Sequence, residues 1–386
     1  MKVSHSWLSE FVDLDAAGLT PDGIQRLLTG IGLEVEHVDM PAKALDRFVV
    51  GRVLSCERHP KADKLSVCTV DVGESEPRTI VCGAPNVAAG QTVAVALDGA
   101  IVPNGGFEIG RRTLRGVESN GMICSKAELG LGDDSDGIWV MSTDAPSGTH
   151  LAQALGIDDV IYDVAITPNR ADCISHVGIA RDLAAAATTP LTITSSAVLP
   201  KARQGVPVRL ADADLCSHYV AVSISGLKNG PSPEWIQRRI TACGMRPRNL
   251  LVDVTNYVML ETGQPLHAFD ARSVVDGIVV RRAGADTQFT TLDGKQRTLQ
   301  PDMLMICTPS GPIGVAGVMG GEDSEIKDDT TEVVLESAFF APTSIRRTAR
   351  LLGLHTDASY RFERGVDPEG IRHAAARAAA LYMEYG

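Results

Sequence analysis

Near residue 42 the spacing of apolar residues changes from helical to strand-like, and near residue 150 it changes back. Before the change, Thr20-Pro21 supplies a capping hydroxyl and a proline at the first helical position. Ile24, Leu27, Leu28 and Ile31 then fall at i, i+3, i+4 and i+7, and Gly32 can end the helix. From 42 to 148 the period is two. Val49, Gly51, Val53 and Ser55 alternate, as do Ser66, Cys68, Val70 and Val72, and Val93-Ala94-Val95-Ala96 follows. Turn signals at Gly73, Gly83-Ala84-Pro85, Gly99 and Pro103-Asn104-Gly105-Gly106 cut these runs into short strands, which predicts a small closed barrel.

One short amphipathic helix cannot form a core alone. Residues 1–41 are therefore expected to pack with 149–192, where a helix is predicted over Val177–Ala187, so that the barrel at 42–148 is an insertion in a split α/β unit. A polar, small-residue linker is expected over 193–205, with Ser195–Gly205 its clearest stretch. Residues 206–386 read as a further α+β unit. Ser232-Pro233 starts a helix through Trp235, Ile236 and Ile240, Asp253 can cap a second, and Asp293-Gly294 is a hairpin turn. A last helix from Asp367-Pro368 puts Ile371, Ala375 and Ala378 on one face and runs to Gly386, as expected of a piece of a longer chain. The fold class is multidomain α+β.

Aromatics are only 4% of the chain, so the cores must be aliphatic. Apolar runs such as Val93–Leu97 and Val333–Leu335 have strand length, against about 20 residues for a bilayer span. The opening Met1-Lys2-Val3-Ser4-His5 has no apolar signal region. The expectation is a cytoplasmic protein with no membrane partner. The eight cysteines form no Cys-x-x-Cys pair and none sits with histidines at zinc spacing, so reduced core thiols are expected and no metal site. A formal charge of −12 argues against gripping RNA by the overall field and leaves local basic patches for that task.

Within the barrel, His59-Pro60-Lys61-Ala62-Asp63-Lys64-Leu65 lies between two alternating strands. Val81-Cys82-Gly83-Ala84-Pro85-Asn86, Leu114-Arg115-Gly116-Val117 and Gly121-Met122-Ile123-Cys124-Ser125 follow. These segments resemble the tRNA-binding oligonucleotide-binding (OB) barrel of phenylalanine– and methionine–tRNA ligases. Between 49 and 148 there are nine Lys and Arg against thirteen Asp and Glu, and only Phe107 and Trp139 offer a stacking face. Single-strand binders usually combine a basic groove with several aromatics. Both a weak RNA contact and a largely structural barrel fit that composition. Lys61, Lys64 and Arg115 are the candidate RNA-binding residues.

The last unit contains, in order, Val252-Asp253-Val254-Thr255-Asn256-Tyr257-Val258, Gly263-Gln264-Pro265-Leu266-His267-Ala268-Phe269-Asp270 and Gly317-Val318-Met319-Gly320-Gly321-Glu322. Leu335-Glu336-Ser337-Ala338-Phe339-Phe340, Gly353-Leu354-His355-Thr356-Asp357-Ala358-Ser359 and Arg361-Phe362-Glu363-Arg364-Gly365-Val366-Asp367-Pro368 complete it. This succession resembles the editing domain of the bacterial phenylalanine–tRNA ligase beta subunit, and Thr167-Pro168-Asn169-Arg170-Ala171-Asp172-Cys173 resembles the same subunit. The resemblance implies a complex of two alpha and two beta subunits that charges phenylalanine tRNA using ATP and magnesium. The synthetic site would lie on the alpha subunit, and the beta subunit would continue beyond residue 386. No cofactor is expected in this segment.

Matching to the family gives Arg246, Thr255, Asn256, His267, Gly320, Glu336, Thr356 and Ala358 as the editing pocket. His267, Thr255 and Asn256 would be catalytic; Glu336, Gly320, Arg246, Thr356 and Ala358 would bind substrate. Read as residues alone, His267 is either a satisfied core histidine or a working group. Glu336, set in an apolar run, must meet a donor: either an arginine in a structural pair or a substrate hydroxyl. Gly314, Gly317, Gly320 and Gly321 match neither the dinucleotide nor the Walker spacing, which leaves close approach to a ligand or tight strand packing. Arg246, Arg346, Arg347, Arg350, Arg361 and Arg364 are candidates to meet the tRNA end. No Ser–His–Asp signature is present, so ester hydrolysis by water oriented on His267, Thr255, Asn256 and the substrate's ribose hydroxyl is the expected chemistry. A non-catalytic tRNA-binding and assembly module, or a free-standing deacylase, are the competing readings.

Overall fold

The Thr20 hydroxyl accepts the Gly23 N–H and Pro21 opens the helix Pro21–Gly30, whose Ile24 and Leu28 are buried. The structure, a computed structural model, describes residues 1–193, 198–199 and 205–386; most of the expected linker, 194–197 and 200–204, lies outside the described residues. The chain divides into two units: Met1–Val38 with Ile161–Gly386, and Asp39–Val160.

In the first unit, strands Lys2–Ser4, Ile161–Val164 and Val35–Asp39 form a small sheet, with the first two antiparallel. The helix His176–Ala187, capped by the Ser175 hydroxyl, packs against the helix Pro21–Gly30. This N-terminal piece is welded to the segment beyond residue 205. Trp7 stacks between His176, at 3.9 Å, and Tyr257, at 4.7 Å, and the Arg239 guanidinium lies 5.1 Å from the Trp7 ring. The buried His176 accepts the Ser4 N–H at Nε2, so its Nδ1–H donates to Leu260 O. Burying three aromatic rings with a ring-stacked arginine supplies more apolar area than the lone amphipathic helix could.

Two further sheets follow. One has strand order Cys216–Ser225, Glu332–Phe340, Leu266–Asp270, with the central strand antiparallel to both neighbours. The other orders Val208–Leu210, Ile278–Arg282, Leu304–Thr308, Gly311–Val315 and Met319–Gly320. The Glu332–Phe340 strand is buried on both faces. Val334, Ala338 and Phe340 enter the apolar core, while the Ser337 hydroxyl turns away to Ile371 O on the final helix. That accounts for its nearly unbroken apolar sequence.

Two expected helix starts are corrected. The helix Leu250–Thr262 is capped by Asn249, four residues before Asp253. Asp253 is instead buried inside the first turn, where it accepts from Ser232 Oγ and the Arg248 N–H. The last helix begins at Ile371 rather than at Asp367-Pro368, because the Asp367 carboxylate accepts the Glu369 N–H and closes a turn first.

In the second unit, strands Arg78–Cys82, Ala62–Asp71, Phe48–His59, Thr92–Ala96 and Met122–Ile123 form a curled five-stranded sheet. It is nearly closed by Asn120 N–H donating to Thr79 O and Val81 N–H donating to Ser119 Oγ. Val53, Cys68, Val70, Ile80, Val93 and Val95 fill the inside, which is the alternation read from the sequence.

Candidate editing pocket and tRNA-facing hairpins

Register brings the site together. On the strand Leu266–Asp270, His267 lies directly opposite Glu336, and Phe269 opposite Val334. Alternation then puts His267, Phe269 and Glu336 on one face of the sheet. Above that face runs the turn Gly317-Val318-Met319-Gly320, and the side is closed by Ala358 and Phe362 of the short helix Asp357–Phe362. The cavity has about 410 Å³ of empty space, open solvent at its mouth included. Its wall is apolar apart from His267, Glu336 and peptide groups.

Both polar side chains are held in their neutral-leaning states by burial. Desolvation raises the Glu336 carboxyl to about 7, and a hydrogen bond from the Tyr219 hydroxyl, 2.5 Å from Oε2, works against that rise. Desolvation alone lowers His267 to about 4, and its Nε2 is buried without a partner. The ring packs edge-on against Phe269 at 4.4 Å. Between pH 5 and 8, then, His267 is a neutral imidazole next to a carboxylate that ionises near neutrality.

The glycines resolve into different tasks. A Cβ on Gly320 would sit 2.7 Å from His267 Cε1 and 2.8 Å from Nε2, so only glycine lets the imidazole lie against this backbone. Gly317 is left-handed at φ 65°, and a Cβ there would press at 3.0 Å on Ile345, Phe340 and Phe362. At Gly321 a Cβ would meet Phe289 at 2.6 Å. Close approach at the pocket holds for Gly320; the other two are packing.

Of the residues named from the sequence, His267, Gly320, Glu336 and Ala358 line one cavity. Thr356 reaches it indirectly. Its hydroxyl caps the following helix through the Ser359 N–H and donates to Val318 O, which fixes the turn over the pocket. Thr255, Asn256 and Arg246 do not line the cavity. The Thr255 hydroxyl donates to Val252 O in its own helix, Asn256 is half-buried there, and Arg246 is exposed in the preceding loop. Among the arginines, Arg361 is buried against Asp357, Arg364 stacks 3.6 Å from the Tyr360 ring and bonds Glu363, and Arg347 pairs with Asp302. Arg346 and Arg350 are exposed on the helix Pro342–Leu352. Sequence reasoning missed Tyr219. The available signal was the need of a buried Glu336 for a donor, and the donor is a tyrosine rather than an arginine.

Neutral His267 gives a stability prediction with a definite sign. Its folded value of about 4 lies below the ordinary 6.5. Above pH 6.5 it is neutral folded or unfolded, and its contribution is full. As pH falls through that window only the unfolded chain takes up the proton, so about 3 kcal/mol is lost by pH 4. Urea unfolding of the chain and of His267→Leu at pH 7 and pH 4.5 should show the steeper acid loss in the unsubstituted chain. Parallel losses would refute it.

In the second unit, two hairpin tips meet. Arg115-Gly116 forms a two-residue loop between Arg112–Leu114 and Val117–Ser119, with both residues at positive φ, 49° and 92°. That is a type I′ geometry, unusual for arginine. Buried His59 joins this tip to the other, accepting the Lys61 N–H at Nδ1 and so donating from Nε2 to Leu114 O. Arg58, Lys61, Lys64, Arg111, Arg112 and Arg115 are all exposed on these two hairpins, six of the nine basic residues counted between 49 and 148. An acidic barrel thus presents one basic end.

Among the described residues, Asp172, Cys173 and Asp182 are spaced as metal ligands could be. Arg170 and Arg181 already pair with both carboxylates, so the group reads as an ion-pair network.

Residues 48–150 match the family described as "Putative tRNA binding domain", and residues 215–386 match the B3/4 domain. The chain is 47% identical over 388 residues to the phenylalanine–tRNA ligase beta subunit of Syntrophus aciditrophicus (strain SB), covering 100% of this chain and 48% of that protein. To the beta subunit of Salinibacter ruber it is 48% identical over 405 residues, with the same coverage. An N-terminal fragment of the phenylalanyl-tRNA synthetase beta subunit from Pyrococcus horikoshii is 14% identical, with a TM-score of 0.28 over 47% of this chain and 56% of that one. The chain is homologous along its whole length to phenylalanine–tRNA ligase beta subunits, and spans about half the length of the curated relatives it matches.

Proposed function

We propose that this chain is the tRNA-facing and proofreading part of a phenylalanine–tRNA ligase beta subunit, and that its pocket hydrolyses tyrosine mischarged on phenylalanine tRNA. Charging itself, with ATP and magnesium, is assigned to an alpha partner in a two-alpha, two-beta complex. The observation that carries the reading is the pairing of Glu336 with His267 across two strands in one apolar cavity.

Tyrosine is phenylalanine plus one hydroxyl, and an apolar synthetic pocket rejects an added hydroxyl by only about 100-fold. A second site can invert the test. Where a buried acceptor awaits a phenol, phenylalanine leaves it unpaired and is refused, by as much as roughly 10⁴–10⁵. Glu336 is that acceptor, with the Gly320 backbone beside it. A carboxylate has about four lone-pair sites, so the bond from Tyr219 leaves room for another donor. Ala358 bounds the space for the ring.

His267 takes the ester end. A neutral imidazole can accept a proton from, or orient, a water or ribose hydroxyl without first losing one of its own. Asn256 and Arg246 are assigned to the tRNA end, and Thr255, bonded into its helix, is assigned a positioning role. The hairpins carrying Lys61, Lys64 and Arg115 are assigned to RNA. Single-turnover deacylation of Tyr-tRNA and Phe-tRNA, both on phenylalanine tRNA, tests the reading. Faster loss of tyrosine supports it; no hydrolysis above the uncatalysed rate contradicts it.

The basic end of the barrel gives a separate expectation. RNA binding should weaken with salt along a shallow slope equivalent to about two or three phosphate contacts. Replacing Lys61, Lys64 and Arg115 together by alanine should remove most of that slope. Filter binding across salt concentrations checks this, and an unchanged slope would place the contacts elsewhere.

A further inference from the structure

Tyr219 stands outside the cavity yet holds its key carboxylate. The strand Cys216–Ser225 pairs Cys216 with Phe340, then shifts register so that His218 faces Phe339 and Tyr219 faces Ala338. The eight unbroken pairs from His218 with Phe339 to Ser225 with Glu332 set the register, and they put Tyr219 opposite Ala338 on the face that carries Glu336. On that face the Tyr219 ring lies diagonal to Glu336, and its hydroxyl donates to Oε2 at 2.5 Å; the bulge before His218 lets Cys216 return to the same core face.

We propose that Tyr219 is a specificity-positioning residue, whose hydroxyl ties down one oxygen of Glu336 and leaves the other to accept a substrate phenol. The proposal rests on the editing reading above. A free carboxylate in an apolar pocket could rotate, and burial favours its protonated form, which is a poorer acceptor. One donor on Oε2 answers both problems. It fixes the plane of the carboxyl group and favours its ionised form. Burial and the neighbouring Glu336 also raise Tyr219 itself well above the ordinary tyrosine value, so it remains a donor throughout the working range.

Few other groups bear on this titration. From the strand Cys216–Ser225 only Cys216, itself raised to about 12 by burial, interacts with Glu336 besides Tyr219. From Leu266–Asp270 comes His267, neutral above about 4. Glu332 shares the strand but lies exposed at its start, bonded to Ser223. The turn Gly317–Gly320 carries no titratable side chain, and Arg361 on the neighbouring helix is engaged with Asp357.

The test is Tyr219→Phe in this chain, with single-turnover hydrolysis of Tyr-tRNA and Phe-tRNA from pH 6 to 9. In the unsubstituted chain the preference for tyrosine should rise with pH through about 7, where Glu336 ionises. In Tyr219→Phe the midpoint should move up by about one to two pH units, and the preference at pH 7.5 should fall roughly 3- to 30-fold. In a Glu336→Gln background the same substitution should change the preference by less than about twofold, since the group it acts through is gone. An unmoved midpoint, or an equal loss in the Glu336→Gln background, overturns the proposal. If the unsubstituted chain shows no tyrosine preference, the editing reading falls and this inference with it; a preference that Tyr219→Phe leaves intact overturns the inference alone. A second measurement needs no Tyr219 variant. The Tyr219 hydroxyl proton should give a downfield, exchange-protected NMR signal that moves with Glu336 titration and vanishes in Glu336→Gln. Absence of that coupling overturns it equally.

Discussion

Ala358→Trp should abolish hydrolysis of both Tyr-tRNA and Phe-tRNA, by at least roughly 100-fold, while the chain remains folded. Ala358 is half-buried on the short helix Asp357–Phe362, where it lines the cavity and touches the edge of the apolar core. An indole there occupies the space the substrate ring needs. The loss does not depend on which ester is offered, because no ring can enter. Overpacking a filled core costs about 1–3 kcal/mol, but a residue at the wall of an open cavity has somewhere to put its bulk. Thermal unfolding within a few degrees of the unsubstituted chain, with hydrolysis lost, is the expected pair of results. Retained hydrolysis would move the aminoacyl group out of this cavity.

Glu336→Ala should lower Tyr-tRNA hydrolysis by roughly 10- to 150-fold and flatten the preference over Phe-tRNA. The range corresponds to one charge-assisted hydrogen bond, about 1.5–3 kcal/mol. His267→Ala should behave differently, slowing tyrosyl ester hydrolysis with the preference largely kept, because His267 is placed at the ester and Glu336 at the phenol. The two residues face each other in register, so the contrast separates roles that position alone does not. Unchanged selectivity in Glu336→Ala on a folded chain would make this carboxylate structural, a partner for Tyr219 and nothing more.

How much of this could be read in advance divides along local and non-local lines. The Thr20-Pro21 start, the Asp293-Gly294 turn and the alternation of the barrel strands are set within a few residues, and they stand where the sequence puts them. Asp253 and Asp367 were misassigned because an acidic residue near a helix start has more than one use. Asn249 took the cap, and Asp253 went to Ser232 across the fold. The weld of Trp7, His176, Tyr257 and Arg239 was not legible, since its members come from four distant segments. Family matching supplied His267 and Glu336, but their pairing depends on register between strands almost seventy residues apart. Tyr219 likewise reaches Glu336 only through strand register, 117 residues along the chain. The basic end of the barrel was hidden for a different reason: net charge averages over a surface, whereas His59 gathers the cations of two hairpins at one end.

Isothermal titration of this chain with L-tyrosine and L-phenylalanine at pH 8 addresses the pocket without tRNA, partner subunit or chemistry. Glu336 is then largely ionised and His267 neutral. Tyrosine should bind at least about tenfold more tightly than phenylalanine, the advantage of one hydrogen bond to a buried carboxylate, and the difference should disappear in Glu336→Ala. Equal affinity for the two amino acids, or tighter binding of phenylalanine, would contradict the claim that this cavity reads the phenol.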